Sequence, residues 1–249
     1  MTDKFKEMGR KAITALVCWW LVCLPVITSS QDDPNGQDRK ARVKAWEWKV
    51  KAINRDNRDQ VNEICRSIPR EKAPAKVVVF TLSFDFEVPV NVLFESLTDM
   101  AKAAPLYYPV KVYHVKDSPI GPSKFGEGSV RAYQPVPFLK YYERIEKWEK
   151  DRRLEWRVIS GAPVDNQYGV MTFESLGPDR SRMTQTVRFE ISPPLVPIAR
   201  YLVMRENVKA FIRAQTIINE NPDYYLEAPD LLIPEDRDAA SPGLNIERR

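Results

Sequence analysis

The sequence predicts an α+β domain in which seven antiparallel strands are followed by one long C-terminal helix. Three observations carry that reading. At Lys76 the spacing of apolar residues changes from helical to strictly alternating. Between Val110 and Ile191 further alternating runs are separated by turn-forming residues. From Leu195 to Glu220 an apolar stripe recurs at helical spacing, over a length that can cross a whole sheet. The 43% hydrophobic and 29% charged content fits a chain that buries a core. With both ends unsuited to a core, 249 residues allow one domain.

The first strand is "KVVVFTLSFDFE", Lys76 to Glu87, with Val78, Phe80, Leu82, Phe84 and Phe86 on one face. Pro89 then pre-sets a short helix through "PVNVLFESLTDM", whose apolar side is Val92, Leu93, Phe94 and Leu97. Six strands follow, over Val110–Val115, Gly128–Gln134, Leu139–Trp148, Leu154–Ile159, Gly169–Leu176 and Arg182–Ile191. The turns between them, such as "DSPIGPSKFGEG", "SGAPVDNQ" and "LGPDRS", carry the expected breakers. The last helix ends at Asn221-Pro222, and residues 221–249 read as an acidic, mobile tail.

Ahead of the strands, Lys4, Lys6, Arg10 and Lys11 precede an uncharged run, "AITALVCWWLVCLPVI", from Ala12 to Ile27. This is the layout of a secretory signal, and the run is also at the short limit of a membrane-spanning helix. Residues 1–30 are therefore expected to be a signal peptide or signal anchor. The protein is expected to be secreted or membrane-anchored, with cleavage left open.

Residues 31–75 read as a basic, partly helical linker. From Arg39 to Arg58 eight Lys or Arg stand against two acids. Val43, Trp46, Val50 and Ile53 mark an amphipathic helix over about Arg39 to Asn54 that packs against something, and Val61, Ile64, Cys65 and Ile68 continue the pattern until Pro69. The basic stretch reads first as a solvated face, with an anionic membrane surface or a docked protein as alternatives. Nucleic acid is not expected, because the other Tyr/Trp/Lys/Arg-rich stretch, "KYYERIEKWEKDRRLEWR", holds five acids. Cys18 and Cys23 lie in the N-terminal run, which leaves Cys65 without an intramolecular partner, and no cysteine cluster could hold zinc.

A strand, short helices, six antiparallel strands and a long helix is the order of the helix-grip fold. In "FEVPVNVLFESLTDM", "FGEGSVRAY", "ERIEKWEKDRRLEWRV", "GVMTFESLGPDRSRMTQTVRFEISPP" and "ARYLVMRENVKAFI" the chain resembles the polyketide cyclase/dehydrase-like branch of the SRPBCC (START/birch-pollen-allergen-like) superfamily, over residues 76–220. The resemblance implies a curved seven-stranded sheet gripping the C-terminal helix around a cavity for an apolar ligand. It leaves the chemistry open, since such cavities serve carriers, binders and enzymes alike.

Alternation then picks the cavity wall. The first strand contributes Phe80, Leu82 and Phe84, and the hairpin around "SGAPVDNQ" contributes Trp156, Val158, Met171 and Phe173. Gln185, Val187 and Phe189 come from the last strand, and Tyr201, Met204, Val208 and Phe211 from the helix. On the last strand Gln185 is the one polar member of the inner face. Strict alternation turns Gln167 inward and Tyr168 outward, unless Gly169 marks a bulge. Arg131, Tyr133 and Tyr107-Tyr108 are candidates for a polar end of the pocket.

A wall of this kind suits a lipid, sterol, quinone or polyketide-like molecule. The expected function is binding or transport of such a ligand by a monomer, without metal or cofactor. A cyclase/dehydrase-type enzyme is the alternative, and its candidate catalytic residues are the single histidine, His114, and Glu143. Glu143 would have a raised pKa if it faced inward, but Trp148 falls in the opposite phase, and the preferred reading pairs Glu143 with an Arg or Lys on an outer face. A membrane-tethered protein-interaction module is the third possibility. No Ser-His-Asp set or Gly-rich phosphate loop supports hydrolysis or nucleotide chemistry.

Overall fold

The computed structural model describes residues 34–234 apart from Pro122. The hydrophobic run Ala12–Ile27 lies outside the described residues. Among them no helix is long and apolar enough to cross a membrane.

Strand β1 (Val77–Phe86) leads into helices α3 (Val90–Thr98) and α4 (Met100–Tyr107), which follow α1 (Pro34–Asp56) and α2 (Arg58–Ser67) in the chain. Then come β2 (Lys111–Lys116), β3 (Val130–Val136), β4 (Leu139–Glu149), β5 (Arg153–Ser160), β6 (Asp165–Gly177), β7 (Arg180–Glu190) and the long helix α5 (Val196–Glu220). Each expected strand is present within a few residues of its expected ends. The sheet order is β1-β7-β6-β5-β4-β3-β2-β8, antiparallel throughout except at its last pair. It is the expected α+β helix-grip arrangement, with α5 packed on β1 and with α3 and α4 on the same side of the sheet.

The sheet has eight strands, not seven. Helix α6 (Tyr224–Glu227) and strand β8 (Leu232–Pro234) form within the segment expected to be a mobile tail. Apolar residues tie this part down: Tyr224 is 1% exposed and bonds the Lys102 carbonyl through its hydroxyl at 2.7 Å. Leu232 and Ile233 pair in parallel with Val112 and Tyr113. A ladder of three residue pairs suffices because the rest of the segment is already anchored.

The segment read as a linker belongs to the same core. Trp46, Val50 and Ile53 of α1 and Val61 and Cys65 of α2 join the cluster that contains Phe80 and Val208. The two helices lie along α5, with Lys49 near Glu220 at one end and the Ile68 carbonyl bonded by Arg200 at the other. Trp46 donates its indole N–H to the Pro105 carbonyl at 3.0 Å and stacks on Tyr224. Arg42 donates to the carbonyls of Glu227 and Ala228. The segments on either side of the grip, α1 and residues 224–228, are thus clasped to each other.

Candidate functional site

The concave face of the sheet is built by alternation. Cross-strand register sets Phe80 opposite Val187, Leu82 opposite Gln185 and Phe84 opposite Met183, and continues with Val187 opposite Gly169, Gln185 opposite Met171 and Met183 opposite Phe173. Directly paired residues share a face, so the expected wall residues of β1, β6 and β7 do point the same way. Phe80, Leu82, Phe84, Trp156, Met171, Phe173, Val187, Phe189, Met204, Val208 and Phe211 are all buried in one apolar cluster, with Val158 half-buried against it. Ring pairs knit the cluster to the helices: Phe84 meets Phe211 at 5.6 Å and Phe94 meets Phe173 at 5.0 Å.

Tyr201 is the exception. It is 48% exposed, with Ile198 at 53%. The buried stripe enters α5 through Ala199 and Leu202, which leaves Ile198 and Tyr201 exposed before Met204, Val208 and Phe211 are covered. Helical spacing did not exclude Tyr201, because it shares a stripe with Met204, Val208 and Phe211 and is exposed only through its place in the N-terminal turns of α5.

Gln185 is 3% exposed, and its side-chain oxygen Oε1 has no hydrogen-bond partner. It is the polar member of an otherwise apolar stretch of wall.

Trp156 crosses its neighbour on β6. A Cβ at Gly169 would stand 2.7 Å from the indole Nε1 and closer still to the ring carbons. Glycine is required there for space, and the indole fills what a side chain would occupy. The phase of Tyr168 follows: it pairs in register with Arg157 and Arg188 and donates its hydroxyl to Glu155, away from the concave face. Gln167 falls in the stretch between Asp165 and Tyr168 where the register with β7 shifts. The irregularity therefore precedes Gly169.

Glu143 and Trp148, which strict alternation sets on opposite faces, share the concave side. A register shift between Ile145 and Lys147 resolves the conflict, since an added residue in β4 reverses the phase beyond it. Trp148 packs edge-on to Phe94 at 5.3 Å. Glu143 is buried, and so is its partner Arg131, whose Nε donates to Glu143 Oε2 at 3.1 Å. The ion pair expected for Glu143 forms, but on the buried inner face and not on the outer one.

Around that pair stand Tyr107, Tyr133 and Tyr141. Tyr133 stacks on Tyr141 at 5.6 Å and meets Tyr107 edge-on at 5.4 Å, while Arg131 lies over the Tyr133 ring. Met100 of α4 closes the group, accepting from Arg131 at 3.4 Å through its sulfur. Burial raises the pKa of Glu143, with Arg131 opposing. Burial also pushes the phenols of Tyr107, Tyr133 and Tyr141 above the usual tyrosine value, so they remain hydrogen-bond donors at ordinary pH. On Arg131 burial works against the charge, but its surroundings, with the Glu143 carboxylate bonded to it, keep its pKa above the ordinary value. Of the polar end expected from Arg131, Tyr133 and Tyr107-Tyr108, the first three come together with Tyr141 and Met100, whereas Tyr108 packs against the main apolar cluster.

His114 extends the same row, in register with Arg131 as Arg131 is with Glu143. Its ring, however, bonds Asp117 at 2.5 Å and packs edge-on to Phe125 at the sheet margin. There it lines an open cleft of about 630 Å³ with Arg42, Lys102, Lys124, Tyr225 and Asp230, among others, outside the grip. The two candidate catalytic residues are therefore separated by Arg131. Among the described residues no group of three His, Cys, Asp or Glu side chains is placed to hold a metal.

Arg213 of α5, not singled out in the sequence, is 5% exposed and donates to the backbone carbonyls of Leu106 and Tyr108. Burial lowers its pKa to about 10. It ties the long helix to the end of α4 and positions the tyrosine cluster. A charge in the middle of an apolar helical stripe was its signal.

Comparison with solved structures gives distant likenesses. Norcoclaurine synthase from Thalictrum flavum, in complex with dopamine and hydroxybenzaldehyde, is 14% identical with a TM-score of 0.45, over 64% of this chain and 91% of that one. A truncated form of the same synthase is 14% identical with a TM-score of 0.40, over 56% and 96%. Ara h 8.0201 is 13% identical with a TM-score of 0.38, over 55% and 99%. No curated protein sequence matches. Residues 77–216, more than half of the chain, match the family described as polyketide cyclase/dehydrase and lipid transport. This span runs from the first residue of β1 into the last turns of α5, and the chain belongs to that family.

Proposed function

We propose that the protein binds a hydrophobic small molecule, of lipid, sterol, quinone or polyketide-like character, between the concave face of the sheet and α5, and releases it unchanged. The observation that carries this reading is the make-up of that face. Its strands and α5 contribute one apolar cluster, and the buried polar groups on them are few: Gln185 and Ser181 of β7, the Arg131–Glu143 tyrosine group and Arg213 of α5. Every 100 Å² of ligand surface taken out of water there contributes about 2.5 kcal/mol, while the few polar groups orient the molecule. Gentle purification of the full chain, followed by extraction and mass spectrometry, is expected to yield an apolar ligand. Failure to hold any ligand, and to take one up from lipid, sterol or quinone mixtures, would refute the proposal.

A cyclase/dehydrase-type reaction is the second reading, favoured by one observation: Glu143 is a buried carboxyl of raised pKa beside neutral phenols. Turnover of a polyketide-type substrate that survives both Glu143→Gln and His114→Ala would remove it.

For location, we propose export with the run Ala12–Ile27 as signal or anchor. The outer side of α1, where Lys44, Trp48 and Lys51 are exposed, then rests on an anionic membrane surface. N-terminal sequencing of the exported protein tests the first part, and co-sedimentation with phosphatidylserine vesicles tests the second. Loss of a pull-down partner on reversing those charges, with vesicle binding absent, would instead favour a protein-interaction role.

A further inference from the structure

We infer that Gln185 selects, within the hydrophobic class proposed above, ligands that carry a hydroxyl or N–H group on an otherwise apolar body. The inference rests on that reading of the concave face and adds to it the chemistry of the ligand's one polar contact.

The side chain is 3% exposed and its Oε1 finds no donor in the protein. Its neighbours across the strands are Leu82 and Met171, and its neighbours along β7 on the same face are Met183 and Val187. None of these four side chains carries an N–H or O–H to donate. A buried water needs two to four polar partners, and these flanking side chains supply none.

An unmet amide oxygen in such surroundings destabilises the fold, and an apolar residue of similar volume would avoid the loss. Glutamine in this position is therefore costly in the empty protein and useful when a ligand brings the missing donor. The Arg131–Glu143 group does not compete for that role, because its ion pair is already satisfied within the protein.

Discrimination by a buried acceptor is strong in one direction. A ligand that presents a donor satisfies Gln185, whereas the matching hydrocarbon leaves it unmet, and one hydrogen bond of this kind changes affinity by about tenfold or more. Isosteric pairs measure it: 1-dodecanol against tridecane, and 2-naphthol against 2-methylnaphthalene, each bound to the full chain by equilibrium dialysis. The expected result is that the alcohol-to-hydrocarbon affinity ratio falls by about tenfold or more from wild type to Gln185→Leu, while the hydrocarbon still binds and the variant melts no lower than wild type. Gln185→Met provides the same comparison if the branched side chain packs poorly. An affinity ratio unchanged within about twofold in a folded variant overturns the role of Gln185 and leaves the apolar site standing. If no member of either pair binds the wild-type chain, the apolar-site reading falls and takes this inference with it.

Discussion

Arg131 and Glu143 face each other across β3 and β4 with 3.1 Å between Nε and Oε2, both buried and both enclosed by tyrosines. Removing one member leaves the other as an uncompensated charge, which costs far more than the pair contributes. Glu143→Ala is expected to destabilise the fold by about 3–5 kcal/mol, and pairing it with Arg131→Met to recover much of that loss. Urea unfolding of the two single variants and the double variant checks this.

The same carboxyl sets a pH dependence. Burial raises its pKa in the folded protein above the ordinary value of 4.5, with Arg131 working in the other direction. Protonation thus favours the folded state, so the contribution of Glu143 is full below that ordinary value and is lost as pH rises through the folded one. The stability difference between wild type and Glu143→Gln should shift against wild type as pH rises above 4.5. Unfolding curves from about pH 4 to about pH 8 measure it, and a difference independent of pH would contradict the assignment.

Gly169 lies under the Trp156 indole. Gly169→Ala is expected to cost about 1–3 kcal/mol by forcing that ring off its seat. Trp156→Phe in the same chain should restore part of the loss, and the indole's emission reports the displacement directly. Equal stability of Gly169→Ala and wild type would contradict the packing.

Tyr201 and Phe211 lie on one stripe of α5 but at different heights, Tyr201 in the N-terminal turns at 48% exposure and Phe211 further along at 3%. Tyr201→Ser is expected to change stability by no more than about 0.5 kcal/mol, and Phe211→Ala to lower it by about 3–5 kcal/mol. Thermal melts of the two variants separate a surface residue from a wall residue.

Trp46 couples α1 to both α4 and α6, through the Pro105 carbonyl and the Tyr224 ring. Trp46→Ala should cost about 3–5 kcal/mol. It should also speed amide exchange in residues 224–234, which Arg42 and the Tyr224 contacts hold in place. Faster exchange confined to α1 would show the two ends to be independent.

The wall on β1, β6 and β7 was legible in the sequence because those strands run in unbroken register opposite Phe80, Leu82, Gln185 and Met171, and alternation then sorts faces without further information. Glu143 was not legible in the same way. The extra residue between Ile145 and Lys147 inverts the phase of β4, and nothing in "ERIEKWEK" marks where the insertion falls. Tyr201 failed for a different reason: helical period gives the side of α5 a residue occupies but not how far along the helix that side stays covered.

Order and facing along one strand or one helix are local properties, set by backbone period and turn chemistry, and they follow from the residues in sequence. The partner of Glu143, the unmet oxygen of Gln185, the joining of β8 to β2 and the docking of α1 on α5 depend on which distant segments meet. Those contacts link residues such as Arg42 and Ala228, 186 positions apart, and only the packing of the whole chain brings them together.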